Sequence, residues 1–217
     1  MGDLGGRGAR RRPPRHLSDL VKRSVDVVGA ALGLALAAVP LAVVAGLVRR
    51  DLGRPVLFRQ LRPGRDGELF ELVKLRTMRD GPGDDAERLT PLGLALRRTS
   101  VDELPELWNV LRGDMSLVGP RPLLPEYLAL YSPRQARRHE VRPGLTGLAQ
   151  VSGRNLVGWD ERLELDVQYV ERRSLGLDLA IIARTLAAVV RRSGVSADDH
   201  ATMRPFTGSA SAHEAAG

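Results

Sequence analysis

The sequence predicts a mainly helical α/β domain anchored by one apolar N-terminal helix, and three observations predict it. Val27 to Val48 carry no charge, about 22 residues, enough to cross a hydrocarbon core as a straight helix. Val56–Gln60 and Leu69–Leu75 read as short strands joined through Arg62-Pro63-Gly64-Arg65-Asp66-Gly67, a turn-rich link that makes a small β-hairpin. The rest of the 217 residues alternates apolar runs of helical spacing with Gly and Pro breaks, which suits one domain with a sizeable core.

Taken in order, residues 1–16 are Gly- and Arg-rich with the pair Pro13-Pro14, too polar to bury a core, and are expected to form a disordered basic tail. Residues 17–50 form the membrane helix. Lys22 and Arg23 precede its apolar stretch and Arg49 and Arg50 follow it, so the positive-inside bias gives no direction. Pro40 lies just past the middle, where it removes a helix hydrogen bond and favours a kink. A helix that enters, bends at Pro40 and returns to the same face satisfies both facts; a straight span competes evenly with it. Ala35-Leu36-Ala37 resembles a signal-peptide cleavage site, but apolar sequence continues to Val48. A helix buried in a soluble core would need a larger protein around it.

Beyond the hairpin, Gly81–Glu87 is polar and rich in Gly, Pro and Asp, the composition of a mobile surface loop. Helices are predicted over Pro91–Arg98, from Asp102 or Glu103 to Leu111, over Pro125–Tyr131, over Trp159–Arg172 and over Asp178–Arg192. In the last of these, Leu179, Ile181, Ile182, Leu186, Val189 and Val190 with Arg184, Arg191 and Arg192 suit either an amphipathic helix at the membrane interface or packing against the domain. Past Gly194 the chain is small and polar and is expected to fray or drape over the surface.

Composition narrows the chemistry. Cysteine is absent, which excludes disulfides, Cys-ligated zinc and a thiol nucleophile. The net charge of +7, carried almost entirely by Arg, points to an anionic partner such as phosphate, nucleic acid or an acidic leaflet. At 4% aromatic residues the chain lacks the stacking platforms of single-stranded nucleic-acid sites, so no nucleic-acid partner is expected.

The most informative stretch is Arg97 to Leu111. Leu104, Leu107, Trp108 and Leu111 share one helix face, with Asp102 and Glu103 at its start. There the free N–H groups favour an ionised carboxylate, fit to act as nucleophile or metal ligand. The same acids also suit plain capping: Ser100-x-x-Glu103 matches a capping box, and Asp102 could itself be the N-cap. Pro120 and Pro122 stiffen the backbone around Arg121, whose guanidinium suits two-point recognition of phosphate or a structural ion pair.

In order along the chain stand Lys22-Arg23 with Asp26, Arg62-Pro63-Gly64, Lys74-Leu75-Arg76-Thr77-Met78, Asp102-Glu103, Gly113-Asp114-Met115-Ser116, Gly119-Pro120-Arg121-Pro122 and Arg142-Pro143-Gly144-Leu145-Thr146-Gly147. As a set these motifs resemble the bacterial sugar transferase family, the monotopic polyprenyl-phosphate phosphoglycosyl transferases, from about Val21 to Ser196, and the ending looks most like its minimal single-domain members. The resemblance implies a stand-alone enzyme at the cytoplasmic face of the bacterial inner membrane. It would move a sugar 1-phosphate from a UDP-sugar to polyprenyl phosphate through a covalent aspartyl-phosphosugar, initiating exopolysaccharide assembly, with membrane lipid and downstream glycosyltransferases as partners. It implies Asp102 as nucleophile and ligand of Mg2+, and Glu103 as general base or orienting group. Arg97 and Arg121 would clamp phosphate, with Lys74, Arg76, Arg142, Gln150 and Arg154 as further substrate contacts. It implies a reentrant helix kinked at Pro40, although the family's Ser before that proline is Val39 here. The implied divisions are a tail over 1–16, the membrane helix over 17–50, the catalytic domain over 51–193 and a tail over 194–217. A membrane-tethered Arg-rich scaffold or nucleic-acid-binding protein without catalysis is the alternative.

Overall fold

The computed structural model describes residues 17–152, 158–190 and 205–208. Helix α1 runs from Leu17 to Leu52 with Pro40 inside it, and by length and composition it is able to cross a membrane. Its middle is bare: Leu36 is 82% and Val39 75% exposed, whereas Ala30 and Val48, nearer its two ends, are fully buried. Strands β1 (Leu57–Pro63) and β2 (Leu69–Leu75) pair antiparallel from Leu57 opposite Leu75 to Pro63 opposite Leu69, so the predicted hairpin is present, with β1 running on to Pro63 instead of ending at Gln60. The polar loop after them contains a turn of helix, α2 (Asp85–Arg88), begun by a capping box of Asp84 and Glu87 that went unread in the sequence.

Helix α3 (Pro91–Thr99) starts on Thr90, whose hydroxyl accepts from the Gly93 amide. A Cβ on Gly93 would lie 1.9 Å from the Thr77 carbonyl oxygen, so only glycine lets α3 sit this close to the chain leaving β2. Helix α4 covers Glu106–Arg112, starting later than predicted, because Val101–Glu103 form a separate 3-10 turn. Strand β3 (Ser116–Val118) leads to a 3-10 stretch over Pro125–Leu130, where an α-helix was predicted, and to the short helix α5 (Pro133–Ala136). Strand β4 (Gly144–Thr146) pairs parallel with β3, and α6 (Leu148–Val151), α7 (Trp159–Arg172) and α8 (Leu175–Val190) follow. Helix α7 has the predicted bounds; α8 begins three residues earlier than predicted.

The glycine motifs explain one another. A Cβ on Gly144 would stand 2.0 Å from the Gly119 nitrogen, and one on Gly119 would stand 2.5 Å from the Arg142 carbonyl oxygen. Gly119-Pro120-Arg121-Pro122 and Arg142-Pro143-Gly144 therefore interlock backbone against backbone, sealed by Gly119 N to Thr146 O and Gly144 N to Pro120 O, each 2.9 Å.

The core forms where α1, β2 and α4 meet: Ala30, Phe70, Leu72, Leu107, Val110 and Met115 pack together. Asn109, fully buried, fastens α4 to the strand, accepting from the Val73 amide and donating to the Glu71 carbonyl. The Lys22, Arg23 and Asp26 set docks α1. Lys22 pairs with Asp178 on α8 at 2.7 Å, Arg23 donates to the Val110 and Leu111 carbonyls at the end of α4, and Asp26 accepts from Ser116 Oγ and the Leu117 amide. Helix α8 divides its residues: Ile181 is buried with Val118 and Tyr169, while Leu179, Leu186 and Val189 are exposed.

Of the residues beyond Gly194, the structure describes 205–208, and these are anchored. Phe206 is 3% exposed among Leu123, Tyr127 and Leu163, its ring 5.4 Å from that of Trp159, and its amide donates to the Tyr127 hydroxyl. An aromatic side chain was enough to fasten a segment whose composition reads as loose. Phe206→Ala is expected to cost about 3 kcal/mol of stability, measured by urea unfolding of the detergent-solubilised protein.

Candidate active site

Strand periodicity places Lys74 on the same face of β2 as Phe70 and Leu72, the face that meets α4. Its ammonium lies 2.8 Å from Glu103 Oε1 and 2.9 Å from Glu106 Oε1; the Glu106 contact is off the direction of a hydrogen bond. Arg121, held by the interlocked glycine motifs, forks onto Glu103 from the other side: Nη2 on Oε1 and Nη1 on Oε2 at 3.4 Å. Arg138 fixes the Arg121 backbone by donating to its carbonyl at 2.6 Å while pairing with the buried Asp166.

Asp102 arrives by a tight reversal. Ser100 ends α3 in the left-handed conformation, φ 56°, a strained position for a residue other than glycine. The 3-10 turn then carries Asp102, 6% exposed, and Glu103 into the space between α3 and α4. Neither acid serves as a cap. Ser100 makes no side-chain capping bond at this turn and α4 starts on Pro105, so the capping reading of these residues fails. Arg97, on α3, is steadied by Nε donating to Thr77 Oγ1 at 3.0 Å, close enough for its charge to act on Asp102.

The two carboxyls are tuned apart. Burial, then the neighbouring Glu103, raise the Asp102 pKa above its ordinary value, against the opposing pull of Lys74, Arg97 and Arg121. This differs from the helix-terminus expectation: desolvation outweighs the cations. Burial would also raise Glu103, but the charges and hydrogen bonds of Arg121 and Lys74 hold it well below the usual carboxylate range. Glu103 is thus an ionised strut and a weak proton acceptor, better suited to orienting than to base catalysis. Glu106, 2% exposed, is raised by burial.

A buried carboxylate acted on by three cations, with its neighbour locked in ion pairs, has the chemistry to attack an anionic electrophile. The family profile described as bacterial sugar transferase matches residues 17–192. The chain belongs to the bacterial sugar transferase family. Among relatives of this sugar transferase, the uncharacterized sugar transferase EpsL of Bacillus subtilis strain 168 is 47% identical over 196 residues, 88% of this chain and 97% of that protein. The UDP-glucose:undecaprenyl-phosphate glucose-1-phosphate transferase of Caulobacter vibrioides is 47% identical over 197 residues, 82% of this chain and 72% of that protein. The undecaprenyl-phosphate galactose phosphotransferase of Salmonella typhimurium is 37% identical over 203 residues, 83% of this chain and 42% of that protein. The chain is a transferase, and the non-catalytic scaffold reading is not favoured by such relatives.

In this sugar transferase the structure brings Lys74, Arg97, Asp102, Glu103 and Arg121 together. It sets three other predicted residues apart. Arg76 donates to the Leu52 carbonyl and pairs with Asp80, bracing the end of α1. Arg142 donates to the Gly113 carbonyl, at the opposite end of α4 from Asp102. Gln150 donates to the Leu145 carbonyl. Arg154 lies outside the described residues. Sequence reasoning missed Glu106, whose signal was an acid one helical turn beyond Asp102, and Asn109, whose amide completes the edge of β2.

Proposed function

We propose that the chain moves a sugar 1-phosphate from a UDP-sugar to polyprenyl phosphate, as the names of its relatives describe for them, through a covalent phosphosugar on Asp102. One observation carries this reading: Asp102 is buried within reach of the charges of Lys74, Arg97 and Arg121, while Lys74 and Arg121 also immobilise Glu103. An Asp102 oxygen attacks the sugar-bearing phosphorus, the bond from that phosphorus to the bridging oxygen breaks, and UMP leaves with the electron pair. A phosphate oxygen of the carrier then attacks the same phosphorus, restoring the Asp102 carboxylate and giving polyprenyl diphosphosugar. Phosphate monoesters lose their second proton near pH 6, so the acceptor is largely dianionic at neutral pH and the weak basicity of Glu103 is no obstacle. Arg97 and Arg121 place positive charge where it grows in the transition state.

Magnesium fits this donor set in one manner. The described residues contain no group of three or more His, Cys, Asp or Glu able to hold a metal, and Glu103 is taken by Lys74 and Arg121. Asp102 would be the protein ligand of an ion otherwise held by substrate phosphates, the arrangement Mg2+ prefers. When bound, the ion would neutralise diphosphate charge.

The reentrant reading of α1 has support of its own. Pro40 lies inside the helix, and Ala30 and Val48 are buried on either side of a bare middle, which suits a helix bent at Pro40 whose two ends both meet the domain. The exposed Leu175, Leu179 and Leu186 of α8 supply a second apolar face for the cytoplasmic leaflet surface.

The nucleophile must be ionised, and its pKa is raised, so activity falls with pH at a higher pH than an ordinary aspartate would give. UMP release at subsaturating donor is expected to show an acid limb above about pH 4, the ordinary aspartate value, and Lys74→Met moves the limb higher still, because Lys74 pulls the Asp102 pKa down. A limb at or below pH 4, unmoved by that substitution, contradicts the assignment. The founding experiment is UMP release by protein in nanodiscs with Mg2+, undecaprenyl phosphate and a panel of UDP-sugars. No release with any donor counts against the reading.

A further inference from the structure

Just before its apolar stretch, α1 borders a polar cavity of about 130 Å3, walled by residues 19–26 of α1, the strand β3, the end of α7 and the turn after β1. Five cations face it, Lys22, Arg23, Arg65, Arg142 and Arg173, against two carboxylates, Asp19 and Asp26. Asp26 is buried and turned to the interior, accepting from Ser116 Oγ and the Leu117 amide. Lys22 pairs with Asp178 at 2.7 Å. Arg173 meets Asp19 at 3.5 Å and Arg65 meets Asp66 at 3.6 Å, both partly exposed pairs of the kind that contribute little. Arg23 donates to the Val110 and Leu111 carbonyls, which orient its guanidinium and leave its charge in place. Even with Asp66 and Asp178 counted, the described carboxylates remain one short of the cations.

Lys22 and Asp26 also border a second hollow, an apolar groove of about 90 Å3 between α1 and α8. It is lined by Val25 of α1, Leu117 and Val118 of β3, and Leu175, Leu179 and Ile182 of α8. Beyond Val25 the exposed Val28 and Leu32 continue the same face of α1, at helical spacing, into the stretch that carries no charge. The polar cavity therefore comes first and the apolar groove second along the helix that enters the bilayer. This is the profile of a lipid, with a charged head beside the polar start of the helix and a chain along its apolar run.

We propose that the two hollows form one site for an anionic phospholipid of the bilayer, its phosphodiester in the cationic cavity and an acyl chain in the groove between α1 and α8. An uncharged glycerol head suits the excess of cations, whereas a choline head would bring another positive charge to it. The carrier is not the occupant. Arg23 and Arg142 donate to carbonyls at and just past the end of α4, whereas Asp102 precedes its start, and the helix between them is about 10 Å long. A reacting phosphate must come within about 3.5 Å of its partner. The inference rests on the reading of α1 as a membrane helix and is independent of the sugar donor.

Native mass spectrometry of the full chain, released from nanodiscs of mixed phosphatidylglycerol and phosphatidylcholine, reads the bound lipid without turnover. One phosphatidylglycerol is expected to stay on the protein, favoured over phosphatidylcholine by about tenfold. The double variant Arg65→Gln, Arg173→Gln removes that preference, and Arg65→Lys with Arg173→Lys keeps most of it, since charge rather than shape is being read. Leu179→Ser lowers retention of both lipids alike by about threefold, because it meets the chain and not the head. Arg134→Gln, which removes an exposed pair with Glu164, changes nothing. The substituted side chains are all partly exposed, so melting temperatures in detergent stay at the wild-type value; if the Gln variant melts early, the Leu179 and Lys variants carry the comparison. Equal retention of phosphatidylglycerol and phosphatidylcholine by the wild type overturns the proposal, as does a preference that survives the double Gln variant. Displacement of phosphatidylglycerol by an equal amount of undecaprenyl phosphate would assign the site to the carrier instead. Competition by the deacylated head, glycerophosphoglycerol, as effective as that of the whole lipid would make it a site for a soluble anion.

Discussion

Asp102→Asn abolishes UMP release, lowering it by about four orders of magnitude or more, and intact-mass analysis of the variant with its donor shows no added phosphosugar. The wild type trapped without carrier gains that mass at position 102. The substitution keeps the shape of the side chain and removes a charge that the fold disfavours, since burial and Glu103 both raise the Asp102 pKa. Thermal stability is therefore retained or improved while activity disappears, the pattern of a residue kept for chemistry at the expense of the fold. Turnover by this variant would end the nucleophile assignment.

Arg121→Ala lowers kcat/KM for donor by about two to three orders of magnitude. The guanidinium has two duties. It forks onto Glu103, and its charge acts on Asp102 where the transferred phosphate must sit. Removing it leaves Glu103 with Lys74 alone, loses the strongest force holding Glu103 ionised, and frees Lys74 and Glu103 to shift. Arg121→Lys restores only part of the rate, because an ammonium cannot replace a two-pronged guanidinium. Full activity with lysine would show that charge alone suffices.

Much of this was legible in the chain. The apolar run, the hairpin and α7 follow from periodicity and turn residues, and the acid pair and Arg121 stood out by their surroundings. Position along the helix was harder. The shared face of Leu104, Leu107, Trp108 and Leu111 suggested that the helix began with the acids, but Ser100 reverses the chain first and puts Asp102 in a turn, where it is buried instead of capping. The other arginines could not be sorted by type. Arg76, Arg138 and Arg142 are consumed by carbonyls or a buried aspartate, and only tertiary neighbours reveal that. Phe206 was invisible for a related reason: a single ring in a polar tail has no periodicity, and its value depends on three aromatic residues far away in sequence.

The burial of Ala30 against Phe70, Leu107 and Val110 bears on how the molecule is made. The ribosome delivers the lipid-seeking segment first, and Val110 emerges 80 residues later, about 4 to 16 s at ordinary elongation rates. During that interval the face that will become interior has only bilayer or chaperone to shelter it. Cutting the segment away would leave the remaining polypeptide with an open, greasy socket, so a water-soluble fragment that keeps the active site is not to be had by truncation.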